Sequence, residues 1–148
     1  MATQWTAGTT SGQVLTAATL NTIGAAWVDY TPTLTQSATV TKTINHARYC
    51  QIQKLIVVEL FLTCTSAGTL GASVEFGLPI SCKNTGAMIG SGFIYDASTN
   101  TMYNVLPYTV SASVVSAFYQ TGSNWGASPN LALANTDQLR FKLTYEAA

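Results

Sequence analysis

Between Leu55 and Cys64 the side chains alternate in a way that only an extended strand can accommodate. Ile56, Val58, Leu60, Leu62 and Cys64 fall on one face, and Leu55, Val57 and Phe61 fall on the other, with Glu59 between them. A helix would scatter the same residues around its whole surface, because its period is 3.6 rather than 2. A strand apolar on both faces needs cover on both. The domain core supplies one cover. The second is expected from an early helix or from a neighbouring subunit.

The same period of two recurs along most of the chain. Ala72, Val74, Phe76 and Leu78 alternate with Ser73, Glu75 and Gly77 before Pro79 ends the run, and Leu139, Phe141, Leu143 and Tyr145 alternate with Arg140, Lys142 and Thr144. Residues 47–52 and 55–65 flank Gln53-Lys54 and predict a hairpin with a tight turn. Residues 39–44 are rich in β-branched side chains, and residues 29–35 read as extended, with Pro32 favouring an edge or a bulge. Ile89, Phe93 and Tyr95 predict a strand in which Gly90 and Gly92 permit close backbone approach or a bulge. After a polar turn at 96–100 come a strand through Tyr103 and Val105 and a long strand over 109–119. The longest surface loop is expected at 121–130, around Trp125.

Helical spacing appears once. Thr16 can cap a helix over 16–27, Leu15 and Leu20 suit a hydrophobic staple, and Leu20, Ile23 and Trp27 form one apolar stripe. Gly24 and the threonines make this helix weak without a packing partner. The first dozen residues have neither period and read as an extended arm. Roughly eight to ten short strands after one early helix predict an all-β chain, an antiparallel β-sandwich of jelly-roll type. Residues 1–28 are the expected arm and helix, and residues 29–148 the sandwich domain.

Charge is the unusual part of the composition. Asp, Glu, Lys and Arg make up 8% of the 148 residues, against about 25% in an average soluble chain. The six basic and six acidic residues cancel. A surface so poor in ions, with no net charge, favours association, so a homo-oligomer or an assembled particle is expected; a Thr-rich extracellular monomer is the alternative. The basic residues Lys42, Arg48, Lys54, Lys83, Arg140 and Lys142 are dispersed, and only Arg140 and Lys142 share a face, which argues against nucleic acid. No signal peptide is visible at the start, and the apolar run at 55–64 is too short for a membrane span. The expectation is a soluble chain kept in the cytoplasm of the cell that makes it. Cys50, Cys64 and Cys82, odd in number and irregular in spacing, read as buried free thiols.

No catalytic constellation is expected. His46 is the only histidine, and it stands alone at a strand junction. The cysteines and His46 lack zinc-site spacing, and residues 86–92 lack a P-loop ending. No cofactor or metal is therefore expected. Glu59 stands out among apolar neighbours; it reads either as a carboxyl in a cleft or, more simply, as one paired with a nearby Lys or Arg. Trp125, with Asn124 and Tyr119, is the candidate for exposed surface recognition, since loops carry binding residues on rigid scaffolds. Its competing reading is a loop anchor tucked onto the core.

The stretch Trp5-Thr-Ala-Gly8, then Gly12-Gln-Val14-Leu-Thr16-Ala17-Ala18-Thr-Leu20-Asn21, resembles the start of many small tailed-phage virion proteins. Asp29-Tyr30-Thr31-Pro32-Thr33-Leu34 and Tyr49-Cys-Gln51-Ile52-Gln53-Lys54-Leu55 are similar to the first β segments of that group, although Gln53 stands where it usually has Gly. Leu78-Pro79, Gly90-Ser-Gly-Phe-Ile-Tyr95-Asp96 and the final Leu139 to Glu146 also fit. The resemblance implies a non-enzymatic virion protein, commonly a trimer, with an N-terminal attachment segment and a β domain displayed outside. Trp5, Leu20, Ile23 and Trp27 would dock it to other phage virion proteins at the tail or as a fibre, and loops would meet a host surface glycan or receptor. Two alternatives remain. One is a capsid decoration protein on the head exterior. The other is a carbohydrate-binding or glycan-cleaving β domain using Glu59, Glu75 or Asp96 with Trp125.

Overall fold

A computed structural model describes residues 26–119 and 122–148. The expected arm, most of the helix over 16–27, and Trp5, Leu20 and Ile23 lie outside the described residues. Ala26 and Trp27, the last two positions of that helix, are not helical.

The described residues are all-β, with eleven strands and no helix. The chain runs through β1 (Val28–Asp29), β2 (Leu34–Gln36), β3 (Ala38–Thr39), β4 (Lys42–Ile52), β5 (Leu55–Cys64) and β6 (Glu75–Gly77). It continues through β7 (Gly90–Asp96), β8 (Thr101–Thr109), β9 (Val114–Tyr119), β10 (Ser123–Asn124) and β11 (Gln138–Glu146). All pairings between strands are antiparallel, in the order β1-β4-β5-β11-β7-β8-β9-β6-β2-β3, with β10 beside β9. The result is one continuous sheet that curls into a half-barrel.

The alternation in the sequence translates directly into the curl. Ile56, Val58, Leu60, Leu62 and Cys64 of β5 and Leu139, Phe141, Leu143 and Tyr145 of β11 are all buried on the concave side. They join Leu34, Val74, Phe76, Ile94, Val115 and Leu133 in one core. Phe76 and Phe141 stack with ring centroids 4.7 Å apart, although β7, β8 and β9 lie between their strands along the sheet. That contact across the concavity requires the sheet to bend. Gly92, in register with Phe141, makes room: a Cβ there would meet the Phe141 ring at 2.2 Å and the Arg140 carbonyl at 2.4 Å. The close approach expected at Gly90 and Gly92 is therefore real.

Two strand assignments change. Residues 39–44 and 47–52 do not make two strands; from Lys42 they are one strand, β4, whose register shifts between Ile44 and His46. A bulge lets a single strand absorb an unpaired residue while bending. Residues 109–119 do not make one strand. Thr109 ends β8 and Val114 begins β9, with Val110 N–H donating to the Val114 carbonyl at 3.0 Å across the turn. The small polar run Ser111-Ala112-Ser113 suits that reversal, and buried Thr109 fixes its start by accepting a hydrogen bond from Ala87 N–H at 3.0 Å.

One buried amide ties the loops around Ala72 and Leu131 to β2. Gln36 has no solvent exposure. Its Nε2 donates to the carbonyls of Ala72 and Leu131, each at 2.9 Å, and its Oε1 accepts from Leu133 N–H at 2.8 Å. Gly126, at φ +96°, passes so close that a Cβ would lie 2.3 Å from the Ala72 carbonyl.

Candidate functional site

The convex face of β4, β5, β11, β7 and β8 carries the chemistry that the core leaves over. Cross-strand register sets its side chains in rows. His46, Phe61, Arg140, Phe93 and Asn104 are successive register partners, and Arg48, Glu59, Lys142 and Ser91 form the adjacent row. Opposed residues on neighbouring strands share a face and lie close enough to interact.

Glu59 is the hub of the second row. His46 Nε2 lies 3.0 Å from its Oε2, Arg48 donates to the same oxygen from Nη2 at 3.0 Å and Nε at 3.3 Å, and Lys142 Nζ lies 3.3 Å from Oε1. The hydrogen bond with His46, then that with Arg48, holds its carboxyl down to about 2, with Lys142 adding to the effect. The simpler sequence reading of Glu59, a carboxylate paired with nearby cations, is the one observed. A carboxyl held ionised in this way is a poor proton donor near neutral pH, whereas a glycosidase acid needs its pKa raised.

A stability consequence follows. Because the folded carboxyl titrates below its unfolded counterpart, its contribution is complete above the ordinary carboxylate range and disappears as pH falls toward 2. In Glu59→Gln the cations lose their carboxylate, at a cost of about 1 kcal/mol at pH 7 for so open a site. Urea midpoints measured between pH 7 and pH 2 should therefore converge for the two proteins as pH falls. A constant gap would mean that Glu59 acts through packing instead.

The other carboxylates named from the sequence serve turns and ladders. Asp96 Oδ1 accepts from Ser98 N–H at 2.9 Å, Ser98 Oγ–H at 2.7 Å and Thr99 N–H at 3.2 Å. Burial alone would raise its pKa, but these donors bring it below the ordinary value. Asp137 accepts from Ala97 and Ala134 N–H groups, and burial pushes its carboxyl up. Glu75 is half-buried on β6, in register with Thr35 and Ser116. Among the described residues no group of three or more His, Cys, Asp or Glu is placed to hold a metal ion. Cys50, Cys64 and Cys82 are free and buried, and burial pushes the Cys64 thiol up to about 12.

Trp125 is not an exposed recognition residue. Its ring is fully buried, packed edge-on against Tyr103 at 5.7 Å. The Trp125 backbone N–H donates to the Ala117 carbonyl, and its backbone carbonyl accepts from Val74 N–H. Those bonds pull the loop inward, so the anchor reading describes it. Asn124 and Tyr119 are half-buried; Asn124 pairs with Phe118, and Tyr119 stands edge-on to Tyr103 at 5.7 Å.

Trp27, the one described member of the expected docking set, is 43% exposed and lies under the Arg48 guanidinium at 4.7 Å. Val28, Ile52 and Leu55 are also 46%, 49% and 45% exposed at this β1–β4–β5 margin. No cover of the kind expected for the second face of β5 lies over Leu55 among the described residues; Val57 and Phe61 are half-buried, and Arg140 lies 3.9 Å over the Phe61 ring.

Further along the convex face is a cleft of about 520 Å³. Phe93, Leu106 and Phe118 supply its apolar walls, Ser91 and Asn104 its polar groups, and Gly92, Val105, Tyr119 and Gly122 complete it. Sequence reading missed this cleft. Of the candidate recognition residues, Tyr119 lines it, and Arg140 and Lys142, which share a face, stand in register with its β7 wall; which strands lie together is a matter of long-range pairing. Comparison with known proteins finds no matching family model, no matching curated protein and no matching solved structure.

Proposed function

We propose that this chain is a non-enzymatic structural protein of a tailed-phage virion, an oligomer, with a trimer favoured, attached through residues 1–28 and displayed at the tail or as a fibre. The observation that carries the assembly part is the bare margin at β1, β4 and β5. Trp27, Val28, Ile52 and Leu55 leave a large share of their apolar surface in water, on a chain with 8% charged residues. Exposed apolar side chains grouped at one sheet margin suit an interaction site. The margin also continues directly into the segment read as the attachment arm. The virion assignment is supported by the sequence resemblance. In this reading the curled sheet is a jelly-roll-like sandwich, with the β4–β5–β11–β7 half facing the β8–β9–β6–β2 half across the Phe76–Phe141 contact.

Light scattering coupled to size exclusion tests the assembly. The wild-type chain should elute as a multiple of 15.7 kDa, and Ile52→Glu with Leu55→Glu should shift it to the monomer without unfolding it. Wild-type protein that stays monomeric at high concentration would refute the reading. Immunogold labelling of phage particles tests location: gold at the tail supports the assignment, and gold on the head moves the protein to capsid decoration.

A further inference from the structure

We infer that the cleft between Phe93 and Phe118 is a binding site for a carboxylate-bearing oligosaccharide. The site would operate in a single copy, so it is independent of the assembly proposed above.

The lining dictates the ligand chemistry. A volume of about 520 Å³ lies within the usual range for small-ligand sites. Two aromatic rings and Leu106 form the walls, and they suit the C–H faces of pyranose rings. The Ser91 hydroxyl and the Asn104 amide offer donors and acceptors for sugar hydroxyls. No lining residue is charged.

Charge enters from one rim. Arg140 and Lys142 on β11 stand in register with Phe93 and Ser91, while the β8 and β9 residues that line the cleft bring no charge. The Arg140 guanidinium carbon lies between two rings, 3.9 Å from the Phe61 centroid and 5.7 Å from that of Phe93. Its hydrogen bond within the described residues goes to the neutral Gln138 amide at 2.9 Å, and it forms no ion pair with any described carboxylate. Lys142 shares Glu59 with Arg48 and His46. Glu146, further along β11, is taken by Lys83 at 2.8 Å. The rim is therefore short of negative charge, and its guanidinium is held in place with most of its donors unused. A planar fork of this kind matches a carboxylate. A polyphosphate chain would need several converging cations, which the cleft does not offer.

Isothermal titration of the full chain with a glucuronate-containing tetrasaccharide and with its carboxyl-reduced counterpart tests the site. The acidic sugar should bind at least tenfold more tightly than the reduced one. Arg140→Gln should abolish that preference while leaving the weak binding of the reduced sugar in place, and Lys142→Gln should narrow it. Phe118→Ala should weaken both sugars alike. Near-UV circular dichroism monitors folding of each variant, and the exposed positions of Arg140 and Lys142 keep those two substitutions informative if Phe118→Ala disturbs the sheet. Absent binding, equal affinity for the two sugars, an undiminished preference in Arg140→Gln, or equal binding of an acidic peptide would each overturn the inference.

Discussion

Replacing Gln36 with Leu should cost this protein roughly 3–5 kcal/mol, because the substitution removes one side chain and leaves three backbone groups without partners. The carbonyls of Ala72 and Leu131 and the N–H of Leu133 all bond to that one amide. Leucine fills a similar volume, so the apolar packing term stays nearly constant. The loss comes from polar groups taken out of water and left unpaired. Against a typical domain stability of about 5–15 kcal/mol, that is a large fraction. At this chain length each kcal/mol moves the melting temperature by roughly 2–4 °C, so a fall of about 10 °C is expected by calorimetry. The urea midpoint should fall while the slope of unfolding free energy against urea stays unchanged. A loss below about 1 kcal/mol would mean that water can enter and replace the amide.

Gln36 also shows where sequence reading stops. It lies in the Leu34–Gln36 strand, and nothing in its neighbours distinguishes it from the exposed Gln53. Its importance comes from groups 36, 95 and 97 positions away. Period-two runs, in contrast, are local: residues 139–146 alternate buried and exposed throughout β11, as their side chains dictate, although the run over 72–78 is a strand only at Glu75–Gly77. The hairpin at Gln53 was legible for the same reason, and Gln53 takes the left-handed conformation (φ 55°) that a tight turn requires. What the pattern does not carry is strand order. β11 sits between β5 and β7, and only that placement brings Arg140 beside both Phe61 and Phe93, or Lys142 beside Glu59. Trp125 was ambiguous for a related reason. An aromatic among glycines marks a loop, but whether the ring faces water depends on the pocket that distant strands build for it.

Gly92→Ala should be more disruptive than any one-methyl change at an exposed position, costing about 3 kcal/mol or more. The added Cβ would lie 2.2 Å from Phe141 Cδ1 and 2.4 Å from the Arg140 carbonyl. The ring can rotate away only by giving up its stack on Phe76. The carbonyl cannot yield alone, because β11 is paired to β5 along its other edge. The sheet must therefore open between β7 and β11 or flatten its curl. Gly122→Ala is the matched comparison: its Cβ meets nothing within 4 Å, and only the backbone conformation at φ +81° resists it, a cost of about 1 kcal/mol. A double-mutant cycle with Phe141→Leu divides the larger loss into its two parts, since a smaller side chain relieves the ring clash and leaves the carbonyl clash intact. The same substitution should reach the convex face. Gly92 lines the cleft next to Phe93, and the spacing of β7 from β11 sets the 5.7 Å between Arg140 and the Phe93 ring. Gly92→Ala should therefore lower affinity for the acidic tetrasaccharide even in protein that remains folded. Equal stability losses for Gly92→Ala and Gly122→Ala, by urea unfolding, would show that the two strands do not need their close approach.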